Sequence, residues 1–339
     1  MEKAGTRIYA EPSPDALLAA YRKMVVGRRF DEQATALARQ GRLAVHPSSL
    51  GQEACQVGAA LTLRATDWLF PTYRDCVALV SRGIDPVEAL TLLRGDGHCG
   101  YDPVRHRTAP QCTPLATHTA HATGLAHAER LKGADTVALA LVGDGATSEG
   151  DFHEALNLAG VLRAPVVFLV QNNGYAISVP LSDQCAAPSL AYKGVGYGVR
   201  AEQVDGNDAA AVLAVLTRAV EDARAGVGPW LVEAHTYRMG PHTSADDPSR
   251  YRSPEETEAW RDRDPIARLE SALRERGLLT DDDVKAVAAE ADQYAADVRE
   301  RLAVDPDLDP LALFDHVFSA PTPHLAEQRA ALRAELEGR

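Results

Sequence analysis

Two unbroken apolar runs, VALALV (137–142) and VVFLV (166–170), constrain this chain of 339 residues more than any other feature. Neither run alternates with polar residues, and both are far too short to span a bilayer. Each therefore reads as a strand buried on both faces, as in a parallel sheet covered by helices. The stretch between them, DFHEALNLAGVLRA (151–164), has its apolar residues at helical spacing. The alternation continues with a helix in DAAAVLAVLTRAVEDARAG (208–226) and a strand in WLVEAHTYR (230–238). The expected fold class is α/β, a doubly wound parallel sheet with helices on both faces.

Helical spacing also marks an N-terminal arm. Ser13 and Pro14 form a start signal, and Leu17, Leu18, Tyr21, Met24 and Val25 repeat until Gly41 stops the run. Residues 75–94 and 114–131 read as two further helices, and GVGYG (194–198) as a loop. From SPEETEAWRDRDP (253–265) onward the chain is charged, helical and poor in strands. The expected domains are a helical arm over 1–60, an α/β domain over 61–250 and a helical region over 251–339. That last region is expected to pack on the α/β domain or on partner subunits.

Lys plus Arg number 35 against 48 Asp plus Glu, a formal charge of −13 with no concentrated basic patch. Nucleic acid and anionic membrane surfaces are thereby disfavoured as partners. The five cysteines are odd in number and scattered, which points to a reducing compartment and a cytoplasmic protein. The first residues show no apolar core of signal-peptide length. His98, Cys99, His106 and Cys112 have no strong zinc-site spacing.

In an open parallel sheet, ligands bind beyond the carboxyl ends of the strands, and Asp144 in VGDGATSEG lies at such an end. Gly143 and Gly145 let the backbone approach a bulky anion, and the helix expected next offers it free N–H groups. A carboxylate beside a phosphate is repulsive unless a divalent cation lies between them, so Asp144 points to Mg2+, which takes oxygen ligands. The next strand ends in Asn172 and Asn173, whose amide oxygens suit the same ion. Either motif alone is also ordinary turn chemistry.

Together, GDG, a helix and a strand ending in NN resemble the thiamine diphosphate signature. FPTYRD (70–75), TPLATH (113–118), VQNNGYAISVP (170–180) and TYRMGPHTSADDPSRYR (236–252) extend the resemblance. It is to the α subunit of the decarboxylase component of 2-oxo acid dehydrogenase complexes, most like the branched-chain type. The resemblance implies that Asp144, Asn173 and the Tyr175 carbonyl hold Mg2+, and that Gly143, Gly145, Ala146 and Gln171 lie at the diphosphate. Tyr73 and Arg74 would contact the same diphosphate, Thr113 and Leu115 would lie against the cofactor, and His242 would be catalytic. A structural K+ occurs near the position of His118 in some relatives.

The resemblance also implies a β subunit that completes an α2β2 tetramer, and a lipoyl domain of the acyltransferase component as acyl acceptor. The small-molecule substrate would be a 2-oxo acid. The expected reaction is oxidative decarboxylation of branched-chain 2-oxo acids such as 3-methyl-2-oxobutanoate, followed by reductive acylation of the lipoyl group. A pyruvate dehydrogenase α subunit, a non-catalytic assembly subunit and another Mg2+-dependent phosphate enzyme are the alternatives. Three features depart from the pattern. Gln171 stands where some relatives carry arginine, loop 95–112 lacks their basic glycine-rich stretch, and Thr243 stands where mammalian relatives have a phosphorylated serine.

Overall fold

The computed structural model describes residues 9–304 and 309–338. They fall into two compact units that divide between Arg299 and Glu300. The first is built on five parallel strands: β1 (Trp68–Phe70), β2 (Ala138–Gly143), β3 (Val166–Asn172), β6 (Arg200–Asp205) and β7 (Trp230–His235). Their order is β1-β2-β3-β7-β6. A short antiparallel hairpin, β4 (Tyr175–Ala176) and β5 (Val179–Pro180), follows β3.

The two apolar runs are unbroken because the sheet is covered on both sides. Ala138, Ala140, Val142, Val166, Phe168 and Val170 face the core under helices Thr117–Leu131 and Gly150–Leu162. The intervening residues, among them Leu139, Leu141, Val167 and Leu169, face helices Glu53–Thr62 and Ala209–Arg224. Burial of each large apolar side chain contributes about 1.5 to 3 kcal/mol, so a polar residue in either run would oppose the layering directly.

The N-terminal helix runs Pro14–Arg39, with Ser13 Oγ accepting from the Ala16 amide at 3.2 Å and Gly41 turning just beyond its end at φ +73°. Its Leu17, Tyr21 and Met24 pack with Leu269 and Leu273 of helix Pro265–Glu275, which therefore belongs to the first unit. In the second unit, helix Pro323–Glu337 is capped by Thr322 and none of its residues is buried. No helix among the described residues is long and apolar enough to cross a membrane.

Several local expectations need correction. Residues 75–94 form two helices, Cys76–Ser81 and Pro86–Arg94, because Gly83 turns at φ +88° and Asp85 caps a new start before Pro86. The helix expected over 114–131 starts only at Thr117. Gly194–Gly196 close a short helix, Ala191–Gly196, instead of forming a loop. A 3₁₀ turn, Gly145–Ser148, separates Asp144 from the helix that begins at Gly150. The N–H groups near Asp144 thus belong to that turn.

Candidate active site

The carboxyl ends of the central strands converge. Gly143 pairs with Gln171 across β2 and β3, and Asn172 pairs with His235 across β3 and β7. Asp144, just past β2, is 1% exposed, and its side-chain partner is the neutral amide of Gln184 at 2.9 Å. Burial pushes its carboxyl above the usual range, only partly offset by Gln184 and backbone donors that include Asn173. Asn173 Oδ1 accepts from the Tyr175 amide at 3.3 Å, and the Tyr175 carbonyl accepts from Arg238 at 3.2 Å. A buried carboxylate, an amide oxygen and a backbone carbonyl form a hard-oxygen set of the kind that suits Mg2+. A cation there would also neutralise a charge that burial disfavours.

The backbone beside Asp144 is cramped on one side and open on another. A Cβ on Gly145 would stand 2.6 Å from the Ala176 Cβ, so only glycine lets the 3₁₀ turn lie against β4. A Cβ on Gly143 would meet nothing within 4 Å, which leaves space over the strand end. That space is a cleft of about 190 Å³.

Cationic and aromatic groups close the other wall. Arg74 is buried and donates through Nη1 to the Ser48 carbonyl at 3.0 Å. Its Nη2 lies 3.0 Å from both His242 Nδ1 and the His242 carbonyl. Because a guanidinium can only donate, Nδ1 must accept, and the neutral imidazole carries its proton on Nε2. Burial, then Arg74 and Arg238, drive the His242 pKa down from 6.5 to about 4. The Tyr73 ring meets the imidazole edge-on, with centroids 6.1 Å apart.

Tyr73, Arg74, Leu115, Gly143, Gly145, Ala146, Gln171, Asp144, Asn173, Tyr175 and His242 all line this one cleft. Thr113 does not; it lies exposed two residues before Leu115. The Gln171 amide is directed to Asp75, donating at 2.7 Å, while its Oε1 is buried without a partner among the described residues. His118 faces the sheet, its Nε2 2.6 Å from the Leu141 carbonyl.

Sequence reasoning missed Gln52, Glu149 and Arg238, which also line the cleft. Arg238 is 1% exposed and grips the hairpin, donating to the carbonyls of Tyr175 and Ile177 (2.6 Å) and to Tyr251 Oη at 2.9 Å. A larger cavity, about 710 Å³, lies beside Arg200 and Trp230 at the amino ends of β6 and β7. It has none of the carboxylate, amide and carbonyl oxygens just described, so volume alone does not pick out the candidate site.

Residues 21–310 match the dehydrogenase E1 component family. The chain is 46% identical over 333 residues to the 3-methyl-2-oxobutanoate dehydrogenase subunit alpha of Mycobacterium tuberculosis, covering 98% of this chain and 91% of that one. It is 36% identical over 327 residues to a pyruvate dehydrogenase E1 component subunit alpha from Acholeplasma laidlawii, covering 96% and 94%. A Staphylococcus aureus protein of the same name is 38% identical over 290 residues, covering 82% and 78%. The chain belongs to the dehydrogenase E1 component family, and with it to the oxidoreductases of 2-oxo acids.

Proposed function

We propose that this chain is the α subunit of a 3-methyl-2-oxobutanoate dehydrogenase, using thiamine diphosphate and Mg2+ to decarboxylate branched-chain 2-oxo acids. The observation that carries the reading is the meeting, in one cleft, of the Asp144, Asn173 and Tyr175 oxygens with the Arg74–His242 pair. Higher identity to the branched-chain relative than to the pyruvate relatives favours the branched substrate.

When bound, thiamine diphosphate supplies the nucleophile and the electron sink for decarboxylation. The protein binds and orients it. Asp144, Asn173 and the Tyr175 carbonyl would hold the metal of the diphosphate, with Tyr73 and the Gly145–Ala146 backbone beside it. Arg74 would add a charge-assisted contact. His242 stays neutral at physiological pH and keeps its Nδ1 on Arg74, so its Nε2–H is the group that would donate to an oxygen gaining negative charge.

A β subunit in an α2β2 tetramer would complete the cofactor site, and the lipoyl domain of the acyltransferase component would accept the acyl group. The odd, scattered cysteines fit a cytoplasmic setting. Titration calorimetry of the tetramer with thiamine diphosphate tests the reading. Binding should require Mg2+ and disappear in Asp144→Ala; Mg2+-independent binding, or wild-type affinity in that variant, would remove the ligand assignment.

A further inference from the structure

Arg74 and His242 lean on the same short strap, residues 46–51, which joins helix Pro14–Arg39 to helix Glu53–Thr62. On one side, the Ser48 carbonyl accepts from Arg74 Nη1 at 3.0 Å and Ser49 Oγ donates to the Arg74 carbonyl at 2.7 Å. On the other, the Ser244 amide donates to the His46 carbonyl and the Met239 amide to the Leu50 carbonyl, both at 3.1 Å. The strap thus frames both ends of the segment that carries His242.

Two buried carboxylates anchor the strap: at its far end Glu53 accepts from the Gly51 amide at 2.9 Å, and its near end rests on Asp31. Asp31, on the N-terminal helix and 2% exposed, accepts from the Ser49 amide at 2.8 Å, from His46 Nε2 at 3.0 Å and from Ser48 Oγ. Burial alone would raise its carboxyl, but His46 and the other donors outweigh burial and hold it below the usual range. The far end of the strap has no slack. Gly51 sits at φ +93°, and a Cβ there would be 2.3 Å from the Tyr237 carbonyl oxygen.

We propose that Asp31 is a positioning residue of this active site, setting the strap so that Arg74 stays on the imidazole of His242. Asp31 lines no part of the cleft, and its effect runs through Ser48 and Ser49. The inference rests on the functional reading above.

The test uses the tetramer purified with its β subunit, carrying Asp31→Asn or Ser48→Ala. Four quantities are measured: thermal midpoint, thiamine diphosphate affinity, kcat and KM for 3-methyl-2-oxobutanoate, and the pH profile of kcat. For Asp31→Asn, kcat should fall about 10- to 100-fold with KM changed less than about twofold, as expected when reacting groups are misplaced. The acid limb of the profile should move up as His242 loses its facing guanidinium. Ser48→Ala, which leaves the carboxylate and its other two bonds, should move the limb the same way by less.

A purely structural Asp31 would give a lower thermal midpoint with unchanged acid limb and cofactor affinity, and that result overturns the proposal. If Asp31→Asn does not assemble, an unmoved limb in Ser48→Ala overturns it equally. The wild-type arm separates the two levels: wild-type turnover without thiamine diphosphate dependence sinks the functional reading itself, whereas a dependent wild type with unaffected variants sinks only the role of Asp31.

Discussion

Arg74 Nη2 is 3.0 Å from both the ring Nδ1 and the backbone carbonyl of His242, 168 residues further along the chain. One guanidinium nitrogen therefore fixes the tautomer of the imidazole and the path of its loop together. Residue 242 is held below its ordinary pKa by burial first and by Arg74 next.

The sign of the pH effect follows. Between about 6.5 and about 4, the unfolded chain takes up a proton at His242 that the folded chain refuses. The stability contributed by the neutral imidazole is complete above that window and is lost as pH falls through it. In kcat, the His242 limb should lie near 4 in the wild type. In Arg74→Met, assayed at saturating cofactor, it should rise part of the way to 6.5, because burial remains after the charge is gone. A limb that does not move would exclude Arg74 as the cause.

Asp144 carries the opposite shift. Its folded pKa is raised by burial, so its contribution to the stability of the cofactor-free chain is present below the unfolded value and lost as pH rises through the folded one. Asp144→Asn should stabilise the cofactor-free chain at neutral pH by about 1 kcal/mol, since the cost of burying the charge outweighs its hydrogen bonds and the attraction of Arg238. The same variant should lose the rise in melting temperature that Mg2+ and thiamine diphosphate give the wild type. Melts with and without both ligands decide this, and an equal rise in the variant counts against Asp144 as ligand.

Arg238 should matter for the shape of the hairpin. Ile177 has φ +56°, a region that β-branched residues avoid, and its carbonyl is held by Arg238 at 2.6 Å. Arg238→Met should cost about 2 to 4 kcal/mol in urea unfolding, because several buried hydrogen bonds are lost at once. Cofactor affinity should fall with it, since the Tyr175 carbonyl shares the same guanidinium. Arg238→Lys should rescue little, because an ammonium lacks the planar fork that reaches two carbonyls and a hydroxyl. Full rescue by lysine would show that charge alone matters.

What the sequence made legible was decided by burial. β2 and β3 lie at the centre of the sheet, so their strands appear as plain apolar runs. β6 reads RAEQVD because it is an edge strand that pairs only with β7, and β1 has only three residues; neither leaves a pattern. Asp144 and Asn173 could be found because strand ends carry them. Arg238 and Asp31 could not, since an arginine after a strand and an aspartate in a helix resemble solvated residues. Their partners, Ile177 and the 46–49 segment, are set by tertiary folding alone. Thr113 shows the converse, a motif residue that the fold leaves outside the cleft.

The most direct test of the central claim is a ferricyanide-reduction assay on the chain purified with its native β subunit, comparing 3-methyl-2-oxobutanoate with pyruvate. The account predicts turnover that requires both thiamine diphosphate and Mg2+, with kcat/KM at least about tenfold higher for the branched acid, the scale that a shaped apolar pocket provides. Turnover that ignores thiamine diphosphate, or a preference for pyruvate, would contradict it.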